Sequence, residues 1–253
     1  MHAIILAAGR GSRLGNLTDE VPKCMMTVNG RTLLGRQIDS YRQNGVEKIA
    51  VVRGYLAERI TPPEIAFFNN PEWATTGLLY SLFCAEPAME GGFFISYGDT
   101  TFDPSYIRLL QDALAEGHDM AGIIDTRWED VYIGRDWHPA SEAENVLVDS
   151  EGFITEIGKR VPPDHTLGEF IGLLAVSADA AKQWRASYHK LLDTLGDDRA
   201  WGQLGTIRKA YTSDLVQHLI HQGLKVRAVP VEGGWREIDC PQDLELAQTA
   251  VTW

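Results

Sequence analysis

Short runs that are apolar at nearly every position alternate along this chain with segments whose apolar residues recur every three or four positions. Residues 3–8 (AIILAA), 48–52 (KIAVV), 92–97 (GFFISY), 120–124 (MAGII) and 169–176 (EFIGLLAV) read as strands buried on both faces. Residues 65–68, 225–231 and 235–238 read as further extended segments. Between them lie helical patterns. Thr32 caps a helix whose Leu34, Ile38 and Tyr41 share a face and which Gly45 closes. Residues 78–84 read as helical and stop before Pro87. Asp103-Pro104 starts a helix with Ile107, Leu110 and Leu114 in phase, ended by Gly117. Residues 178–192 and 207–221 are helical in pattern, with a Gly- and Asp-rich loop at 193–206. Pro241 opens a last helix carrying Leu244, Ala247 and Val251 on one side.

Strand–helix–strand alternation implies parallel strands joined by helical crossovers. In such sheets ligands sit at the carboxyl ends of the strands. That rule places residues 9–13, 97–100 and the segment after Asp125 on one rim. From 126 to 160 the periodicity is lost and charged, aromatic, Gly and Pro residues mix, which reads as an insertion with short strands flanking the site. No internal repeat, low-complexity tract or Pro/Ser linker marks a second domain.

Charge sharpens this picture. With 23 Lys+Arg against 35 Asp+Glu the formal net charge is -12, which argues against a nucleic-acid partner. Local clusters of cations therefore stand out. Cys24, Cys84 and Cys240 are scattered without a CxxC pair, the pattern of a cytoplasmic protein with no structural zinc. Residues 1–8 are too short for a signal peptide, and no run reaches the length of a membrane span, so no membrane association is expected.

The first strand runs into LAAGRGSRLGNLTDEVPK, residues 6–23. Gly9 and Gly11 let backbone N–H groups approach an anion closely, Arg13 adds a forked donor and Lys23 a point charge. Such a loop suits a triphosphate. A GxxxxGK[ST] phosphate loop is absent, and the GxGxxG spacing fails because the third glycine, Gly15, comes one residue late. The whole stretch Gly9-x-Gly11-x-Arg13-Leu14-x-x-Leu17-Thr18-x-x-x-Pro22-Lys23 resembles the signature of nucleotidyltransferases of the sugar-phosphate and choline-phosphate type, with Asn16 where that family usually has Pro. The resemblance implies a single Rossmann-like α/β nucleotidyltransferase domain over residues 1–253. Its sheet would be mixed but mostly parallel, with helices on both faces and a small flap, residues 126–168, inserted on the acceptor side. It implies that Leu6, Ala7, Ala8, Gly9, Gly11 and Ser12 contact the nucleotide, with Asn69, Thr76, Gly77 and Ser81 facing its base and ribose from the other side. Arg13 and Lys23 would stabilise charge at the α-phosphate.

The chemistry asks for Mg²⁺, a hard cation that prefers carboxylates. Asp99 follows a buried strand and is equally suited to a turn or a cap. Asp239 precedes a Pro-initiated helix, where Asp is a good cap. The resemblance assigns both to the metal, with Glu237 a further possibility on the same strand face.

For the acceptor, the resemblance places its phosphate at Lys159. Tyr132-x-Gly134-Arg135, His138-Pro139, Ser141-Glu142-Ala143-Glu144 and Gly168-Glu169-Phe170-Ile171-Gly172 are similar to motifs of cytidylyltransferases linked to phosphonate biosynthesis. Two chemistries remain open. Phosphocholine favours an aromatic cage, for which Trp73, Tyr80, Tyr97, Trp128 and Trp137 are available. A phosphonate favours cations, and the insertion holds Arg127, Arg135, His138, Lys159 and Arg160. The expectation is therefore CTP plus a small phosphonate or phosphate acceptor, bound by Arg127, Tyr132, Arg135, His138, Lys159 and Glu169. The rivals are a phosphocholine or sugar-1-phosphate enzyme, and a non-catalytic nucleotide sensor. Oligomeric state is not legible.

Overall fold

The computed structural model describes residues 1–196 and 199–253. In chain order the strands are β1 (His2–Ala7), β2 (Thr27–Val28), β3 (Arg31–Thr32), β4 (Ile49–Arg53), β5 (Ala66–Asn69), β6 (Phe93–Tyr97), β7 (Thr100–Phe102), β8 (Met120–Asp125), β9 (Asn145–Val148), β10 (Ile154–Gly158), β11 (Gly168–Val176), β12 (Val226–Val231) and β13 (Trp235–Glu237). The helices are α1 (Leu33–Gln43), α2 (Leu78–Cys84), α3 (Ser105–Ala115), α4 (Glu129–Tyr132), α5 (Ala178–Leu195), α6 (Thr212–His221) and α7 (Pro241–Ala250).

The main sheet runs β12-β8-β11-β6-β1-β4-β5. Only β11 opposes the rest: β1 pairs in parallel with β4 and β6, β4 with β5, and β8 with β12, while β11 is antiparallel to both β6 and β8. The first half of β11 also pairs with β9, which carries β10 outward as a hairpin. That hairpin and α4 give the insertion its structure.

Alternate residues of the central strands feed two cores. Ile4, Leu6, Val52, Phe93 and Ile95 pack against α2, α5 and α6. Ala3, Ile5, Val51 and Phe94 pack against α1 and α3. This is the both-faces-covered sheet that the apolar runs predict. A third, smaller cluster joins Leu14, Val28 and Leu33 to Ile238, Ala247 and Val251, fastening the glycine loop to α7 across the whole length of the chain. Thr32 caps α1 by accepting from Gly35 N.

The expected helix over 207–221 is broken. Residues Ile207–Lys209 make one 3-10 turn, and the chain is extended at Ala210 and Tyr211 before α6 begins. The reason lies in α2, whose first N–H groups have no partner within the helix. The carbonyls of Arg208 and Ala210 accept from Gly77 N at 2.7 Å and Leu79 N at 3.0 Å. Their carbonyls are thus spent outside a helix, and Asp214 restarts it by accepting from Tyr211 N. Among the described residues no helix is long and apolar enough to cross a membrane.

Candidate active site

A two-stranded ladder assembles the site. β13 pairs antiparallel with β7, Glu237 opposite Thr100, and Ile238 N donates to Asp99 O at 3.0 Å. This pairing sets Asp239 beside Asp99, 140 positions apart in sequence. Each end of the ladder is tied down. Buried Gln37 of α1 donates to the carbonyls of Tyr97 and Thr100, and so holds the turn that carries Asp99. Buried Asp125, at the end of β8, accepts from Gly233 N and Trp235 Nε1. Gly98 lies so close to Leu6 O and Ala7 that a side chain there would overlap the end of β1.

Asp239 does not cap α7. Cys240 is the N-cap, in a capping box with Asp243, whose carboxylate accepts from Asp239 N at 2.8 Å and Cys240 N at 2.9 Å. The Asp239 carboxylate is thereby free to meet side chains. Its Oδ2 is 2.6 Å from Arg13 Nη2 and 2.9 Å from His138 Nδ1, and its Oδ1 accepts from Lys23 Nζ. Lys23 Nζ also donates to Asp99 Oδ2 at 2.7 Å. The lysine reaches this position because its stem passes over Gly11, whose φ of 72° and lack of a Cβ leave the path clear. Arg13 Nη1 lies 3.3 Å from His138 Nδ1.

Electrostatics follow from this packing. Burial opposes the charge on Lys23, but Asp99, Asp239 and Glu237 outweigh it and raise its pKa above the usual range. Burial likewise opposes ionisation of Asp239, and Lys23, His138 and Arg13 overcome it, holding the carboxyl far below the ordinary carboxylate range. Asp99 Oδ1 is buried with no hydrogen-bond partner among the described residues. His138, Glu237 and Asp239 each offer one ligand atom, all within 4.8 Å of one another.

A cleft of about 300 Å³ opens beside this cluster, lined by Leu6, Arg13, Asp99, His138, Lys159 and Asp239 together with Glu142, Glu144, Glu169, Tyr97 and Tyr211. The matching family model is the MobA-like NTP transferase domain, over residues 3–159. The chain belongs to that family. It is a nucleotidyltransferase. It is 31% identical to a CTP:phosphoglutamine cytidylyltransferase of Campylobacter jejuni, over 97% of this chain and 98% of that protein. It is 26% identical to a 2-aminoethylphosphonate cytidylyltransferase of Lancefieldella rimae, over 78% and 76%. Among solved structures it is similar to the inositol-1-phosphate CTP transferase from T. maritima, with a TM-score of 0.72 and 25% identity over 100% and 98% of the two chains.

Within this nucleotidyltransferase the expected nucleotide residues are unevenly placed. Gly9 has open space where a Cβ would stand, Leu6, Ala7 and Ala8 are buried at the end of β1, and Ser12 is exposed at the start of the 3-10 segment Ser12–Thr18. Asn69 is exposed and accepts from Arg53 Nε, whereas its buried neighbour Asn70 donates to both Thr76 Oγ1 and Ser81 Oγ at 2.9 Å. Asn70, not Asn69, thus organises this segment. Gly77 serves packing: a Cβ there would strike the Lys209 and Ala210 carbonyls.

The five cations of the insertion do not act together. Arg127 is exposed and paired with Asp130. Arg135 is buried, but its guanidinium grips Asp243 through Nε at 2.7 Å and Nη2 at 3.1 Å, so it docks the insertion on α7 rather than facing the cleft. Arg160 donates to Gln203 O and lies outside the cleft. His138 and Lys159 remain. Lys159 pairs with Glu142 at 2.7 Å and sits over the Tyr211 ring. Glu142 is held below its usual pKa chiefly by that hydrogen bond, and Lys159 is raised because the pair outweighs its burial. Tyr132 donates to Glu169 Oε1 at 2.8 Å and does not itself line the cleft. The aromatic cage does not form either. Of the five candidates Tyr97 alone lines the cleft, while Trp73 packs on Tyr55, Tyr80 bonds Glu72, Trp128 stacks edge-on with Tyr132 and Trp137 is exposed.

Sequence reasoning passed over Glu144 and Gly172, although both lie in motifs it singled out. Glu144 is buried and accepts from Tyr97 Oη at 3.0 Å and from Ser213 Oγ. Gly172 makes this possible. It has a φ of 76° inside an irregular stretch of β11, and the Tyr97 ring occupies the space its Cβ would take.

Burial also drives Glu169 up to about 8, against a lesser downward pull from Tyr132 and Arg135. The unfolded chain gives up this proton near pH 4.5 and the folded one keeps it to about pH 8, so the folded state binds the extra proton in between. Wild-type stability therefore falls as pH rises through that window. Glu169→Gln has no such proton. Its stability relative to wild type is expected to rise between pH 5 and 8, by at most about 1.4 kcal/mol per pH unit, in urea melts at several pH values. Parallel pH dependence of the two proteins would contradict the placement of Glu169.

Proposed function

We propose that this nucleotidyltransferase is a Mg²⁺-dependent cytidylyltransferase that joins CTP to a small phosphonate or phosphomonoester. An acceptor oxygen bonds to the α-phosphorus, the bond from that phosphorus to the bridging oxygen breaks, and pyrophosphate leaves with the electron pair. The products are a CMP-conjugate and pyrophosphate. We read residues 1–253 as one such domain, with 126–168 on the acceptor side. The observation that carries the reading is the meeting of Arg13 and Lys23, from the glycine loop, with Asp99 and Asp239, which flank the same end of the β7–β13 ladder.

The acceptor oxygen is already ionised at neutral pH, so no general base is required. Catalysis then rests on position and charge. Lys23 and Arg13 offset charge developing at the α-phosphate. Lys159 orients the acceptor's phosphoryl group across from them. Asp239 Oδ2, which His138 Nδ1 also meets, keeps Arg13 on the cleft wall. The residues present fit a divalent cation, because Asp99 Oδ1 is buried and unpartnered among the described residues and Asp239 is ionised beside it. We assign Mg²⁺ to these two carboxylates, since a hard cation favours oxygen over the imidazole of the neighbouring His138–Glu237–Asp239 group. When bound, the ion supplies charge neutralisation on the triphosphate.

Pyrophosphate release from CTP, UTP, GTP and ATP, each with 2-aminoethylphosphonate, phosphocholine, inositol 1-phosphate and glucose 1-phosphate, tests the reading. We expect CTP to be preferred and the signal to vanish on chelation and return with added Mg²⁺. Reaction of a hexose 1-phosphate alone would replace the acceptor assignment, and CTP binding with no turnover would make the chain a sensor.

A further inference from the structure

A buried ion pair outside the cleft is given no task by the chemistry proposed above. Arg135, from the insertion, and Asp243, from the first turn of α7, have side chains only 2% and 1% exposed, and neither lines the cleft. Burying two charges is costly, and either plain role of the pair could be met without it. A capping box needs an acceptor, not a desolvated carboxylate. The insertion is also tied to α7 a second time, by Asp136 N, which donates to Gln242 Oε1 at 2.8 Å.

The position of the pair relative to Asp239 is the informative part. Arg135 holds both oxygens of Asp243, with Nε on Oδ1 at 2.7 Å and Nη2 on Oδ2 at 3.1 Å, a two-point grip that fixes the carboxylate plane. The guanidinium is itself seated, with its Cζ 4.9 Å from the centre of the Tyr132 ring. The held Oδ2 then accepts from Asp239 N at 2.8 Å and from Cys240 N at 2.9 Å. These two N–H groups belong to the peptide units on either side of the Asp239 Cα. One oxygen therefore pins both, and so sets the direction in which the Asp239 side chain leaves the backbone. That direction brings it to Lys23, Arg13 and Asp99.

We propose that Arg135 and Asp243 are positioning residues for the reaction: the guanidinium locks the Asp243 carboxylate, and that carboxylate locks the backbone that aims Asp239. An arginine of the acceptor-side insertion thus orients a carboxylate on the nucleotide side, 104 positions away in sequence. This inference rests on the cytidylyltransferase reading, with its metal at Asp99 and Asp239.

The test measures CTP binding by calorimetry, with Mg²⁺ and with chelator, in the wild type, Arg135→Met, Asp243→Asn and the double variant. The readout is the factor by which Mg²⁺ tightens CTP binding. It is expected to fall at least about tenfold, or to disappear, in each single variant, the scale usual for a residue that orients a metal ligand. Arg135→Met leaves a buried carboxylate without its counter-charge. Asp243→Asn turns an amide nitrogen toward either the guanidinium or the backbone N–H groups, all of them donors. In the double variant the Asn oxygen has only the two N–H groups to serve, so the factor is expected to return to within about threefold of wild type. Docking of the insertion alone predicts no such recovery, since the double variant lacks Arg135 as fully as the single one. A factor unchanged in the single variants, or a double variant no better than Arg135→Met, overturns the proposal. If the wild type binds no CTP, or binds it equally without Mg²⁺, the cytidylyltransferase reading or its metal fails by itself, and urea denaturation decides the inference. Lys23→Met is then expected to raise the unfolding constant at least about tenfold less in Asp243→Asn than in the wild type, because a misdirected Asp239 no longer meets the lysine. Effects that agree within about threefold in the two backgrounds overturn it.

Discussion

Lys23→Met is expected to slow pyrophosphate release from CTP by about 10²- to 10³-fold, the usual cost of removing one preorganised charge from a site of this kind. It is also expected to cost up to about 3–5 kcal/mol of stability, because Asp99 and Asp239 are left facing each other without the ammonium between them. Arg13 still reaches Asp239, so the loss falls short of that for an isolated buried charge. The two effects separate in a double variant. Adding Asp239→Asn removes one of the stranded charges and should recover part of the stability in urea denaturation while turnover stays at the single-variant floor or below. Additive losses in stability would show that Lys23 and Asp239 do not share a site. Lys23→Arg is not expected to restore turnover. The lysine stem threads past Gly11, and the bulkier planar guanidinium does not reproduce a point charge between two carboxylates.

Much of this site is legible in the chain because its parts sit at ends of strongly patterned elements. The apolar runs locate β1, β4, β6, β8 and β11, and the rim rule then puts the glycine loop, Asp99 and the segment after Asp125 together. Asp239 is harder. Its local context suits a helix cap, and only the structure shows that Cys240 and Asp243 form the capping box while Asp239 turns to Lys23. The pairing that unites the aspartates involves strands of three residues each, β7 and β13, too short for any periodic signal. Arg135 misleads for a related reason. An arginine in a cationic insertion reads as a phosphate ligand, and its partner Asp243 lies 108 positions away. The break between Ile207 and α6 is likewise a tertiary effect, since nothing in IRKAYTSDLVQHLIH reveals that α2 needs two carbonyls from it. Burial leaves no mark in composition either, so Glu142 and Glu144 look like any acidic surface, and the burial of Glu144 and Glu169 shows only once the cleft wall closes over them.

Gly172→Ala tests the geometry of that wall most directly. Its φ of 76° is left-handed, which costs an alanine about 1–2 kcal/mol. The new Cβ would also enter the space of the Tyr97 ring, and overpacking of this kind costs about 1–3 kcal/mol more. A total near 2–5 kcal/mol is therefore expected in urea denaturation. Turnover should fall as well, because a displaced Tyr97 no longer bonds both Glu144 and Thr212 Oγ1, its partner at 2.6 Å. The backbone and ring contributions come apart when Gly172→Ala is made in a Tyr97→Ala background. With no ring to meet, the change should cost only the left-handed part, whereas Tyr97→Phe keeps the ring and should leave the full penalty. An equal cost in all three backgrounds would mean that Gly172 serves the turn of the backbone alone, and that Tyr97 reaches Glu144 for some reason other than the space this glycine leaves.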